Sequence, residues 1–548
     1  MPSISSATDT EMIDSKENSS HSKRMEIAAT ALFALLALAL VLYVRIRLLG
    51  MPLERDEGEY AYSGQLILKG FPPYLHAYTM KLPGMAYLSA LFMLCFGVSI
   101  QGMHLGLLVS NIASAALIFL IARKLFGAAA GAAAAAVFLL MTISQHLLGA
   151  FAHATHFIVL FVLAASYLIV SKKSSLSRSR LITAGLFLGS AFLIKQHAAL
   201  FLISSLVFIL LDSGNLRKRL GSGLLLLSGF FAPYLLILLI LSKQGVFRTF
   251  WLWTVSYASV YATGLTPLLG WMNFKSQMAD ILGSTWPYWG LAAAGFLLLL
   301  ISKQGKSISF IIPLAICSLI AICPGFHFRP HYFILLPPAV ALTVGSLLAK
   351  GLLPKAARVS VIAALIAASM FQLWQERWFL FAATPQEYLK KAYQTTKPFV
   401  ESAAVADYVK TITSKNDRIL VLGSEPQIYF YADRLSATGH IYMYPLMEEQ
   451  PYALRMQEEM LQQISQNRPA CLILVDDLSS WLSVSTEGER FRERLSNFME
   501  NRYELEGVAS VSRENESFYV FGERAQQFIP DSASRILLYR LKKGASGE

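Results

Sequence analysis

The strongest constraint on this sequence is the way its apolar residues clump. Ile27 to Val44 is a run of roughly 18 residues without a charge, enough for a tilted helix to cross the hydrocarbon of a bilayer. Runs of the same kind recur until about Trp374 and then stop. Composition agrees that lipid is the main solvent, because only 15% of the 548 residues are charged and 55% are hydrophobic. Soluble domains carry about 25% charged residues.

The net charge of +12 does not point to nucleic acid, because the basic residues gather in short loops between apolar runs. These are Arg123-Lys124, Lys172-Lys173 with Arg178 and Arg180, and Arg217-Lys218-Arg219. Lys303 with Lys306, and Lys350 with Lys355 and Arg358, continue the series. Such loops read as cytoplasmic, since Lys and Arg set the orientation of membrane helices. Cys95, Cys317, Cys323 and Cys471 form no CxxC pair and read as small buried hydrophobes.

The polar, Ser-rich residues 1–25 read as a disordered cytoplasmic tail. The first span, 26–44, then runs outward as a retained anchor, and an outer loop covers 45–83. Gly84 to Phe96 is apolar but short for a crossing, and suits a re-entrant or interfacial segment. Further spans fall near 101–122, 128–146, 153–171, 181–195, 197–211, 220–241, 286–302, 307–323, 331–349 and 356–374. This topology has about eleven crossings and puts every basic loop on the cytoplasmic side. A second outer loop, Ser242 to Thr285, carries Trp251, Trp253, Tyr257 and Tyr261, which suit an interfacial belt or stacking against a sugar face.

After Trp374 the composition becomes that of a soluble α/β domain, residues 376–548, which the odd number of crossings places outside the cytoplasm. Helices are predicted over Phe399–Thr413, Gln450–Asn467 and Glu487–Asn501. Strands are predicted at Arg418–Leu422, Ala470–Val475, Tyr519–Phe521 and Ile536–Leu541. The fold class is therefore an α-helical polytopic membrane protein, with its membrane part over 26–375, followed by a layered α/β domain.

The most informative short segment is Arg55-Asp56-Glu57-Gly58-Glu59-Tyr60-Ala61-Tyr62. Four acids lie between Glu54 and Glu59, just after the first span. They form either a solvated turn or a carboxylate general base whose neighbours keep it ionised or bind a cation. Gly70-Phe71-Pro72-Pro73-Tyr74 and Lys81-Leu82-Pro83-Gly84 follow, a stiff and turned path. Lys81 is either a snorkelling anchor or a cation for a lipid phosphate at headgroup depth. Lys195 interrupts an apolar stretch, and charges at membrane depth are candidate functional groups. His327, Arg329, His331 and Tyr332 cluster before the span at 331–349. His153 and His156, at i and i+3, could share a helix face toward a metal, but with no third ligand evident they read better as ordinary interfacial histidines.

These segments resemble the membrane glycosyltransferases of the GT-C fold, in the bacterial branch of the protein O-mannosyltransferase and aminoarabinose-transferase superfamily. The resemblance rests on Asp56 to Ala61, Gly70 to Tyr74, Lys81 to Gly84, Phe192 to Gln196, Arg329 to Tyr332 with Pro337-Pro338, and Gly423 to Tyr431. It implies a sugar donor on polyprenyl phosphate, and a glycan, lipid or protein acceptor at the outer face of the cytoplasmic membrane. It implies Asp56 as the catalytic carboxylate, acting as base, with Glu57 beside it. Lys81, Lys195, Arg329, His331 and Tyr332 would bind the donor phosphate, and a single displacement would invert the anomeric carbon. Glu59, Tyr60, Tyr74, His153 and His156 are candidate contacts to donor or acceptor. Family members carry Asn and an acid before the fourth span. Here that loop reads Ala152-His153-Ala154-Thr155-His156, so no second acid is supplied and a divalent cation is optional.

Two other readings compete. A polytopic transporter or lipid-linked glycan flippase also places charges among many spans, but such proteins often show paired, broken helices in two matching halves, which this sequence lacks. A polymerase or ligase moving whole glycans would use the same lipid-linked donors.

Overall fold

The computed structural model describes residues 5–170, 177–211, 215–302, 304–349, 351–393, 397–482, 485–512, 516–528, 532 and 534–542, with side chains from residue 24 onward. Lys172, Lys173, Lys303 and Lys350 lie outside the described residues. Among the described residues, nine α-helices open the chain: α1 (Ser5–Arg47), α2 (Arg55–Leu68), α3 (Gly84–Phe96), α4 (Ile100–Phe126), α5 (Ala128–Met141), α6 (Ala154–Ile169), α7 (Arg178–Ile194), α8 (Ala199–Leu211) and α9 (Leu216–Lys243). The helical backbone of α1 reaches back to Ser5 through the polar tail, which has no proline or glycine after Pro2 to stop it. Longer apolar helices follow at Pro267–Ile301, Gly305–Ala321 and Lys355–Gln375. Among the described residues, five helices are long and apolar enough to cross a membrane: Arg24–Arg47, Ile100–Phe126, Leu216–Lys243, Pro267–Ile301 and Lys355–Gln375. Five shorter apolar helices pack among them.

One expected span and one expected loop come out differently. The segment 331–349 is not one helix, because Pro330 starts a tight turn over Pro330–Leu335 and Pro337 starts a ten-residue helix, Pro337–Ser346, buried throughout. Proline has no N–H and fixes its own φ, so each begins an element and neither continues one. The segment Ser242–Thr285 is not a loop. It holds Phe247–Trp251, a π-helical turn at Leu252–Tyr257, Ala258–Ala262, and the first half of Pro267–Ile301.

The last turn of α1 ties the bundle together at the end nearest the later sheet. Arg45 donates to the carbonyls of Thr142 (3.3 Å) and Gly149 (3.1 Å). Arg47 donates to Phe379 O (2.6 Å) and Leu380 O (3.0 Å). At the opposite end Arg358 pairs with Glu26 at 3.1 Å, and Lys124 Nζ reaches Tyr167 O at 2.9 Å.

The C-terminal region folds as a six-stranded mixed sheet with helices. Its strands are β1 (Arg418–Leu422), β2 (Leu435–Ser436), β3 (Cys471–Asp476), β4 (Tyr503–Val511), β5 (Ser517–Phe521) and β6 (Ser534–Leu541), in the spatial order β2-β1-β3-β6-β4-β5. β1 runs parallel to β2 and β3, and the remaining neighbours pair antiparallel. The parallel strands are apolar on both faces, as covered strands must be; Ile419, Leu420, Leu472 and Ile473 are all at 0% exposure. In open α/β sheets, functional loops gather beyond the carboxyl ends of the parallel strands. Here those ends, Gly423 to Gln427 after β1 and Asp477 to Trp481 after β3, point at the start of α2.

Candidate active site

The site begins with the N-terminus of α2. Glu54 is its N-cap, accepting from Glu57 N (2.9 Å), while Glu57 accepts back from Glu54 N (3.3 Å). This capping box satisfies two amides that a helix start leaves open. It also turns the four acids in different directions. Glu57 points into the bundle, where its other oxygen meets Ala152 N and His104 Nε2 (3.1 Å), and its side chain has 0% exposure. Glu57 is therefore a strut between α2, α4 and the loop before α6. Burial, with Asp56 and Glu57 beside it, pushes the Glu54 carboxyl up to about 8.

Asp56 points the other way. Its side chain is 28% exposed, and its Oδ1 lies 2.8 Å from Lys81 Nζ. The same ammonium reaches Glu59 Oε2 at 2.6 Å and sits 4.5 Å above the Tyr60 ring. Burial alone would raise the Asp56 carboxyl, but Lys81, His153 and Lys195 together outweigh it and hold the group well below the usual carboxylate range. Burial likewise works against the Lys81 ammonium, yet Asp56 and Glu59 drive it well above the usual lysine range. Tyr74, held at φ +65°, fixes the backbone here by donating to Lys81 O at 2.8 Å.

The remaining residues singled out from sequence arrange as follows. His153 and His331 stack with ring centroids 4.0 Å apart, and one ring nitrogen of each lies with an Asp56 oxygen inside a 4.8 Å cluster. His153 Nδ1 is buried with no hydrogen-bond partner among the described residues, 3.7 Å from Glu54 Oε1. Two imidazoles and a carboxylate suit a borderline divalent cation, so these residues fit a metal. Sequence offered His153 with His156 as a possible metal pair and favoured ordinary interfacial histidines; in the structure His156 is buried within α6 and is not in the cluster. Lys195, at the end of α7, sits 4.0 Å above the Tyr332 ring. Arg329 is exposed at the N-cap of Pro330–Leu335.

The sheet domain supplies residues that sequence reading missed. Arg55, whose neighbour is Asp56, crosses into it and donates to Ser424 O (2.6 Å), Ser479 O (3.1 Å) and Glu425 Oε1 (2.5 Å). Its guanidinium also lies over the rings of Tyr444 (5.3 Å) and Phe399 (5.6 Å). Tyr442 donates to Glu59 Oε2 at 2.7 Å. Arg55 stood within the acid-rich motif and could have been suspected; Tyr442 carried no signal beyond an aromatic-rich stretch.

A partly exposed carboxylate gripped by a lysine thus lies at one end of the apolar helices, where the loops of the sheet domain close over it. The protein-family profile described as dolichyl-phosphate-mannose-protein mannosyltransferase matches residues 80–242. Among solved structures, ArnT from Cupriavidus metallidurans bound to undecaprenyl phosphate superposes with a TM-score of 0.57 at 13% identity, over 94% of this chain and 99% of that one. The Archaeoglobus fulgidus oligosaccharyltransferase tethered with an acceptor peptide gives 0.52 at 12% identity, over 92% and 75%. AglB from the same organism, with an inhibitory peptide and a dolichol-phosphate, gives 0.52 at 11% identity, over 92% and 75%. No curated protein sequence matches the chain. The chain is a multi-pass membrane protein that shares the GT-C fold of these solved structures, and its residues 80–242 are similar to the protein mannosyltransferase family.

Proposed function

We propose that this protein moves a sugar from a polyprenyl-phosphate donor to an acceptor hydroxyl at the outer face of the cytoplasmic membrane, by one inverting displacement with Asp56 as base. The observation that carries the reading is the separation of roles among four neighbouring acids. The side chains of Glu54, Glu57 and Glu59 are 5%, 0% and 2% exposed, and only Asp56, at 28%, faces outward. Undecaprenyl phosphate in ArnT and dolichol-phosphate in AglB support a lipid phosphate as donor.

A carboxylate paired with an ammonium is ionised but weakly basic. In the proposed reaction Lys81 turns from Asp56 toward the donor phosphate, and Asp56 regains basicity as the acceptor hydroxyl approaches. Lys195 and Arg329 offset charge growing on the departing phosphate, help that counts because the donors are already in place. Asp56, His153 and His331 would hold a divalent cation, which supplies a Lewis acid for phosphate oxygens. In this reading the sheet domain lies outside the cytoplasm, and the basic ends of the helices lie inside.

The test is consumption of synthetic polyprenyl-phosphate sugars by purified protein, wild type beside Asp56→Asn, with cell-envelope extract as acceptor. Consumption of a donor by wild type, lost in Asp56→Asn, is the expected result. Equal consumption by both removes Asp56 as base, and none by wild type across the panel removes the transferase reading.

A further inference from the structure

We propose that the sheet domain is part of the active site, with Tyr442 acting as a positioning residue that sets how Lys81 divides its charge between Glu59 and Asp56. The inference rests on the transferase reading and assigns a role to a domain that the reaction itself leaves unexplained.

The argument starts from the count of donors on Glu59. Its Oε1 accepts from Thr79 Oγ1, and its Oε2 accepts from Lys81 Nζ and from Tyr442 Oη, at 2.6 and 2.7 Å. Asp56 accepts one of those groups, Lys81, on Oδ1 at 2.8 Å. One ammonium therefore faces two carboxylates, and the buried one has two further donors. Those donors carry part of the charge on Glu59, which leaves Lys81 able to serve the more exposed Asp56 and, in the reaction, a phosphate. Thr79 comes from the same loop as Lys81, whereas Tyr442 comes from the segment after β2, 383 positions along the chain from Glu59.

A second tie fixes the geometry of the first. Arg55 is clasped by the loops after β1 and β3, and its partner Glu425, at 0% side-chain exposure, is itself held by Ser424 N (2.8 Å) and Ser480 Oγ. Tyr442 also reaches Arg55 O at 3.3 Å. The residue before Asp56 and the carboxylate that competes with it for Lys81 are thus both held from the sheet domain. A buried ion pair with its remaining lone pairs satisfied fixes geometry more than it adds stability. Here the geometry fixed is the start of α2.

Removing one hydroxyl tests this without removing a ring. In Tyr442→Phe, Glu59 is one donor short and draws Lys81 toward itself. A tenfold change in rate is ~1.4 kcal/mol, at the low end of what a hydrogen bond to a charged group is worth, so a positioning effect of that size lies within reach of one such bond. The expected result is therefore a kcat about tenfold lower, with the donor KM changed less than twofold. A second measurement is independent of turnover: acylation of Lys81 by a water-soluble amine reagent, read by mass spectrometry, should slow about threefold or more. Tyr408→Phe removes a comparable bond, to Glu506 Oε1 at 2.8 Å beside the edge strand β5, and should change neither reading. Wild-type kcat and wild-type acylation in Tyr442→Phe would overturn the proposal. If no form of the protein consumes a donor, the transferase reading falls, and the acylation rate alone decides whether Tyr442 positions Lys81.

Discussion

Glu57→Gln separates a strut from a catalyst. The carboxylate takes three donors, Glu54 N, Ala152 N and His104 Nε2. A glutamine has one oxygen to offer them, so its NH2 must face either the Glu54 amide or the pair formed by Ala152 and His104. One donor is orphaned and the others lose their charged acceptor. With about 1.5–3 kcal/mol for each hydrogen bond to a charged group, the loss comes to about 3 kcal/mol. At about 2 °C per kcal/mol for a large domain, the midpoint of thermal unfolding in detergent should fall by about 5 °C. Transfer per folded molecule should fall less than about tenfold, because Asp56 and Lys81 are untouched. The assay pairs a detergent unfolding curve with donor consumption below the midpoint. A variant that unfolds at the wild-type temperature yet loses about a hundredfold in kcat would refute the argument and return Glu57 to the catalytic group.

Two further substitutions probe the walls of the same site. Gly58→Ala adds a Cβ that would lie 2.6 Å from Gln427 N and Cβ, so α2 must move off the sheet domain; overpacking of this kind costs about 1–3 kcal/mol, and donor consumption should fall together with the unfolding midpoint. Glu376→Ala orphans Ser144 Oγ, Ser284 Oγ and Gln145 N, now held at 2.7, 2.6 and 2.9 Å, and should lower the midpoint at least as far as Glu57→Gln while loosening the loop that carries His153.

The parts of the fold that sequence disclosed are those governed by local pattern. β1 falls on the residues predicted, and the helix at Ala453–Asn467 and β3 fall within three residues of the predicted bounds. β4 went unseen because Gly507 breaks the alternation of Tyr503-Glu504-Leu505-Glu506 after four residues, and its register breaks at the same place. The length of Pro267–Ile301 was hidden because its first turns are polar and aromatic, and read as loop. Within the site, Asp56 and Lys81 stood out because charge next to a membrane span is costly and conspicuous. The pairing of His153 with His331 was not readable, since it depends on how the turn at Pro330 packs on α6. The inward turn of Glu57 was equally hidden, because a capping box and an exposed acidic turn can share the same letters.

The clasp between Arg55 and Glu425 also bears on when the enzyme becomes competent. The two partners are 370 positions apart, so the second arrives long after the first has entered the membrane. Until the strands that present Ser424, Glu425 and Tyr442 have folded, the start of α2 lacks its far wall. A half-made chain in the bilayer therefore holds Asp56 and Lys81 without the geometry that sets them to work. Maturation of this protein would then show a delay between insertion and activity, set by folding of the C-terminal sheet and not by assembly of the helices.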